Sequence, residues 1–252
     1  YRLRIGPPRP DFALRVTPSS ISVPAGRAIP ITVHAMRKDG FDGDIEVVLK
    51  DAPVGFTLNG GLIPGGRDCV RMTLTAPRSR LDRPTVLQLE GRARIGGATV
   101  VRPVIPAEDM MQAFLYRHLV PSRGLLVAVK GGNRRRTPLT LDASGPVRIP
   151  LGGTVEVRIR TGRAPMLGNI KLELDAPPEG VTLEEVRTLR EGLGLALKAD
   201  ATLAKAGLAD NLVVALFLER ANDQASEAKP PRQNRRLSLG VLPAIPFEIV
   251  RR

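Results

Sequence analysis

Apolar and polar positions alternate with a period of two along short runs that glycine and proline separate. In the first half these runs are Ala13–Val16, Ile29–Ala35, Ile45–Leu49, Cys69–Thr75, Val86–Glu90 and Thr99–Val104. In the second they are Leu125–Val129, Thr154–Ile159, Ile170–Leu174, Leu193–Ala199, Leu212–Leu218 and Leu237–Val241. Period-two alternation turns one face of a strand toward a core. A lone sheet would leave that face in water, so each half is expected to pack two sheets face to face.

Residues 106–121 break the pattern. Glu108 and Asp109 open a run in which Met111, Phe114, Leu115 and Leu119 follow at helical spacing, which predicts a short helix between domains. Tyr1–Ile5, followed by Pro7, Pro8 and Pro10, reads as the last strand of a preceding domain with a stiff connector. With no leader pattern after Tyr1, the chain is expected to be a piece of something longer.

The two halves repeat at a spacing of about 125 residues. Ile45-Glu46-Val47-Val48-Leu49 leads into Asp51-Ala52-Pro53 and Gly55, and Ile170-Lys171-Leu172-Glu173-Leu174 leads into Asp175-Ala176-Pro177 and Gly180, with one residue inserted before the glycine. Upstream, Val23-Pro24-Ala25-Gly26 answers Ile149-Pro150-Leu151-Gly152, and Gly43 answers Gly168. Ordered matches of this kind indicate two copies of one fold. The expected architecture is all-β, with two tandem immunoglobulin-like β-sandwich domains joined by a short helical linker. Residues 1–10 end a preceding domain, 11–107 form the first sandwich, 108–123 the linker and 124–252 the second sandwich.

Composition narrows the functional classes. In 252 residues, 42% are hydrophobic and 25% charged, the mixture of a folded globular chain, and no apolar run reaches the roughly 18–20 residues of a bilayer helix. Aromatic residues are 3% with no Trp, which weakens readings that stack rings on glycans or single-stranded nucleic acid. The net charge is +13, from 38 basic and 25 acidic residues, which favours attraction to polyanions without specifying one. Cys69 is the single cysteine, so neither an internal disulfide nor a cysteine zinc site forms. Its strand context predicts a small buried side chain.

Candidate chemistry is sparse. His34 and His118 are the two histidines and have no metal-ligand spacing. His34 sits in a strand pattern as a hydrogen-bonding residue, and His118 belongs to the linker as a packing or solvent-contact residue. Asp39, Asp42 and Asp44 alternate with glycines and could offer oxygens to calcium, but they lack an EF-hand frame and read as a turn. No Gly-x-Ser-x-Gly elbow or phosphate-cradling loop occurs. The candidate ligand-binding residues are therefore Arg134, Arg135 and Arg136 with Arg232, Arg235 and Arg236, because guanidinium groups pair bidentately with carboxylate, sulfate or phosphate. No cofactor or metal is expected.

The run Asp39-Gly40-Phe41-Asp42-Gly43-Asp44-Ile45, with Asp51-Ala52-Pro53 and Gly55-Phe56 after it, resembles immunoglobulin-like modules of large secreted bacterial proteins. Such modules often follow a pre-peptidase C-terminal domain, whose last strand Tyr1-Arg2-Leu3-Arg4-Ile5 resembles. The resemblance implies an extracellular or cell-envelope setting and an accessory role, and carries over no catalytic residue. The expected function is a non-enzymatic module that spaces or docks neighbouring domains of its parent protein. The alternative is binding of an anionic polysaccharide through the second domain's arginines. Neither specific nucleic-acid binding nor membrane insertion is expected.

Overall fold

In a computed structural model of the chain, the described residues are 6–111, 116–131, 140–141, 145–160, 170–219 and 236–251. Every regular element among them is a strand, so the chain is all-β. It divides into two compact units, one of Tyr1–Ala25 with Ile31–Gly132 and one of Gly26–Pro30 with Asn133–Arg252.

The strands of the first unit are β1 (Asp11–Thr17), β2 (Ser20–Pro24), β3 (Ala28–Lys38, from Ile31 on), β4 (Ile45–Lys50), β5 (Thr57–Asn59), β6 (Leu62–Ile63), β7 (Cys69–Thr75), β8 (Thr85–Ile95), β9 (Ala98–Met111), β10 (Arg117–Pro121) and β11 (Leu125–Lys130). One layer runs β1-β3-β7-β5 and the other β6-β4-β8, with β9 and then β11 along the remaining edge of β8. β1 pairs parallel with β9, and β2 pairs parallel with β11, so the N-terminal segment serves both layers. The strand order β1-β3-β7-β5 in one layer and β6-β4-β8-β9 in the other is the immunoglobulin arrangement. Phe12, Leu14 and Val16 of β1 are buried, as are Ile45, Val47, Leu87 and Leu89 of the opposite layer, as the alternation in the sequence requires.

The second unit holds β12 (Thr140–Leu141), β13 (Val147–Pro150), β14 (Thr154–Arg160), β15 (Ile170–Leu174), β16 (Val181–Leu189), β17 (Gly192–Ala199), β18 (Ala209–Leu212), β19 (Val214–Glu219), β20 (Arg236–Val241) and β21 (Ile245–Val250). Its pairing reproduces the first unit. β14 lies between β12 and β17 as β3 lies between β1 and β7, and β13 pairs parallel with β21 as β2 does with β11. β19 pairs with β15 and β20 as β8 pairs with β4 and β9. Leu195, Leu197, Ile245, Phe247 and Ile249 head a separate core.

The correspondence extends to single hydrogen bonds. Ala25 N donates to Lys130 O at 2.9 Å, and Leu151 N donates to Val250 O at 2.9 Å. Gly26 and Gly152 then take φ of 71° and 70°, left-handed values that glycine adopts without the steric cost a Cβ brings. After β4 and β15, Asp51 and Ala176 both have φ of 46°. Phe56 N and Val181 N bond back to Pro53 O and Pro178 O. The backbone register is thus unbroken from Ile45 and Ile170 to Gly55 and Gly180. The expected insertion is absent, because the shared Asp-Ala-Pro triplet is one position out of structural register.

Two expectations are corrected. The helix expected over residues 106–121 is replaced by strand in the described residues of that stretch: β9 runs through Met111 and β10 returns beside it in the register Met111↔Arg117 to Ala107↔Pro121. β9 is already laddered to β8 and β1, and continuing that ladder satisfies the backbone without a helix. Leu125–Val129, read as the opening strand of the second copy, pairs instead with β8 and β2 of the first unit and corresponds to β21. The reading of Tyr1–Ile5 lies outside the described residues.

Candidate docking hairpin of the first unit

In the second unit only Leu242–Ala244 separate β20 from β21. At the same place the first unit carries residues 104–124, in which the ends of β9 and β10 pair antiparallel. The second copy has no counterpart to this insertion.

Its base is tied to the sandwich. Ala107 is fully buried. The neighbouring Glu108 accepts from Ser19 N at 3.1 Å through Oε1, and Ser19 Oγ donates to the same oxygen. Ser19 is itself buried, so a carboxylate there replaces the water its polar groups would lose. Arg15 Nη1 donates to Leu119 O, and Ser122 N donates to Pro106 O at 2.7 Å. Across the hairpin, Arg117 Nε and Nη2 reach Asp109 at 3.1 and 2.8 Å, a bidentate pair that fixes the register.

Beyond that base several apolar side chains are exposed. Met110, Met111 and Tyr116 are 56%, 62% and 70% exposed, with Val120 exposed further down. His118 stands opposite Met110 on the exposed strand. His34, by contrast, is half-buried beside Thr17, with Nε2 3.2 Å from Oγ1. Burial pushes its pKa below the ordinary value, and the Asp109 carboxylate pulls in the opposite direction.

The acidic loop does structural work. Asp42 Oδ1 accepts from Gly66 N at 2.8 Å, Asp44 Oδ1 from Gly65 N at 2.7 Å, and Asp39 Oδ2 from Arg9 N at 3.0 Å. Arg37 completes the clasp, donating to the carbonyls of Gly43, Pro64 and Arg67 at 2.6, 2.9 and 3.2 Å while its guanidinium covers Phe41 at 5.4 Å. The aspartates hold a turn rather than converging on a common centre. Among the described residues no three His, Cys, Asp or Glu side chains gather as metal ligands do.

Of the arginines expected to bind ligand, Arg134, Arg135, Arg136, Arg232 and Arg235 lie outside the described residues, and Arg236 opens β20 opposite Glu219. Cys69 is exposed, not buried: Val70, Met72 and Leu74 take the inward positions of β7, which turns Cys69 outward. The hairpin escaped the sequence reading because its apolar positions also satisfy a helical period. The visible signal was the length of chain between Val104 and Leu125, for which the second copy has no counterpart.

No family model and no curated protein matches the chain. Among solved structures, it is similar to the D00-D0 domain of Intimin (10% identity, TM-score 0.28, covering 94% of this chain and 99% of that one). It is also similar to surface layer protein SbsC, domains 1-6 (10% identity, TM-score 0.31, covering 90% of this chain and 26% of that one).

Proposed function

We propose that the chain is a non-catalytic module of a bacterial surface or secreted protein, in which two immunoglobulin-like sandwiches space neighbouring domains and the β9–β10 hairpin docks one of them. The observation that carries this reading is the contrast between the copies. The sandwich is repeated down to single turn hydrogen bonds, whereas the insertion after Val104 of the first copy has an anchored base and exposed apolar side chains at Met110, Met111 and Tyr116. Methionine and tyrosine suit such a contact, since Met adapts to irregular surfaces and Tyr brings a large area with few torsions. Asp42, Asp44, Arg37 and Glu108, the polar groups most suggestive of chemistry, are spent on holding backbone.

The test is small-angle scattering of the full parent protein, with and without Met110→Glu, Met111→Glu and Tyr116→Glu together. Docking predicts a larger radius of gyration in the variant with an unchanged melting temperature. Superimposable scattering curves would contradict it.

A further inference from the structure

The loop between β7 and β8 carries Arg78, Arg80 and Arg83 against one carboxylate, Asp82, and all four are exposed. The end of β11 lies against it, with Leu81 N donating to Val129 O at 3.2 Å. A depression of about 260 Å³ opens between them, lined in part by Arg80, Leu81, Asp82, Val129 and Lys130. Arg80 reaches Asp82 at 3.3 Å, but both side chains are largely in water, where such a pair is worth little and yields to a competing anion. Arg83 and Lys130 have no side-chain partner among the described residues. Three exposed arginines of the strands differ: Arg92, Arg158 and Arg187 each hold a carboxylate at 2.6, 3.2 and 2.6 Å.

The second unit repeats the feature. Gly207 N donates to Ile249 O at 2.7 Å where Leu81 meets Val129, and the exposed Lys205 and Arg251 stand beside that contact. Each copy therefore presents uncommitted cations at the same end of its sandwich, although the loop sequences differ.

We propose that Arg80 and Lys130, which line the depression, together with Arg83 on the same exposed loop, form a binding site for the carboxylate or sulfate groups of an anionic polysaccharide. The site is distinct from the docking hairpin, and neither reading depends on the other. Guanidinium groups supply paired donors for such oxyanions. An ammonium beside an open depression leaves the chain of sugars room to pass. The scarcity of exposed aromatic rings points to ionic capture rather than stacking, so binding depends steeply on salt.

The experiment titrates the intact chain with oligogalacturonate and, separately, with heparin between 50 and 300 mM salt. It compares Arg80→Ala/Arg83→Ala/Lys130→Ala with a charge-matched control, Arg92→Ala/Arg158→Ala/Arg187→Ala. The first variant is expected to weaken at least one polymer about tenfold at the lowest salt and to flatten the dependence of log affinity on log salt by about two units, with melting unchanged. The control should lose far less; binding of oligogalacturonate shows that carboxylates suffice, and binding of heparin alone shows that sulfate is required. Equal losses in both variants, retention of neither polymer at low salt, or a loss confined to duplex DNA would each overturn the site.

Discussion

Gly91 in β8 faces Leu14 in β1 across the first sandwich so closely that a methyl group built on Gly91 would overlap Leu14 Cδ1 and come within 3.1 Å of Ile45 Cγ2 and 3.3 Å of Phe12 Cε2. The two layers meet here with no room for a side chain. Gly91→Ala is expected to destabilise the chain by about 1–3 kcal/mol, the usual cost of overpacking a filled core. Gly6→Ala, where nothing lies within 4 Å, should stay within about 0.5 kcal/mol. Urea denaturation of both variants measures the difference.

The clasp around Arg37 predicts that lysine is no substitute for arginine there. A single ammonium cannot reproduce donation to the separated carbonyls of Gly43, Pro64 and Arg67 while covering Phe41. Arg37→Lys should cost about 2 kcal/mol, in the range of hydrogen bonds from charged groups, and should speed amide exchange at Gly65 and Gly66. Hydrogen exchange followed by NMR checks both residues.

Anchoring of the hairpin by Glu108 gives a local prediction. Glu108→Ala leaves Ser19 N and Oγ buried without their acceptor, at a cost of about 1–3 kcal/mol. Amide exchange should accelerate at Ser19 and at Ser122, whose bond to Pro106 O closes the hairpin base, and should leave the second unit untouched.

Two groups of the first unit contribute to the pH response. Burial lowers the pKa of His34 from its ordinary 6.5, so the folded state binds this proton less readily than the unfolded chain. The stability it contributes is present above about pH 6.5 and is lost as pH falls through that value toward the folded pKa. His34→Gln should flatten the decline in urea midpoint over that interval. Asp11, held below 3.8 chiefly by its hydrogen bond from Arg102, contributes stability above 3.8 that is lost as pH falls through its lowered pKa. Arg102→Ala should therefore weaken the chain at pH 7 more than at pH 2.

Much of the fold was legible because the alternation that buries Ile45, Val47, Leu195 and Leu197 is written in the order of residues. The matched runs from β3 and β14 through β8 and β19 keep a nearly constant offset. That offset changes at β9 and β20, across the longer connection after Glu219, and changes again at the hairpin. Leu87 pairs with Leu125, and Leu212 with Ile245, but the intervening insertion displaced Leu125 far enough to look like a beginning rather than an end. The basic end of each sandwich was hidden for another reason. Arg80 and Lys130 are distant in sequence, and only the Leu81–Val129 hydrogen bond between their neighbours brings their segments together. Cys69 shows the limit of composition, since residue type favoured burial while strand phase decided exposure.

The most direct test of the duplicated sandwich is a set of interstrand nuclear Overhauser contacts in the isotopically labelled chain. The account predicts contacts for Leu87 with Leu125 and Ile21 with Val127 in one unit, matched by Leu212 with Ile245 and Val147 with Phe247 in the other. Contacts joining Leu125 to strands of the second core, or the short amide-to-amide distances of a helix along residues 106–111 and 117–121, would contradict it.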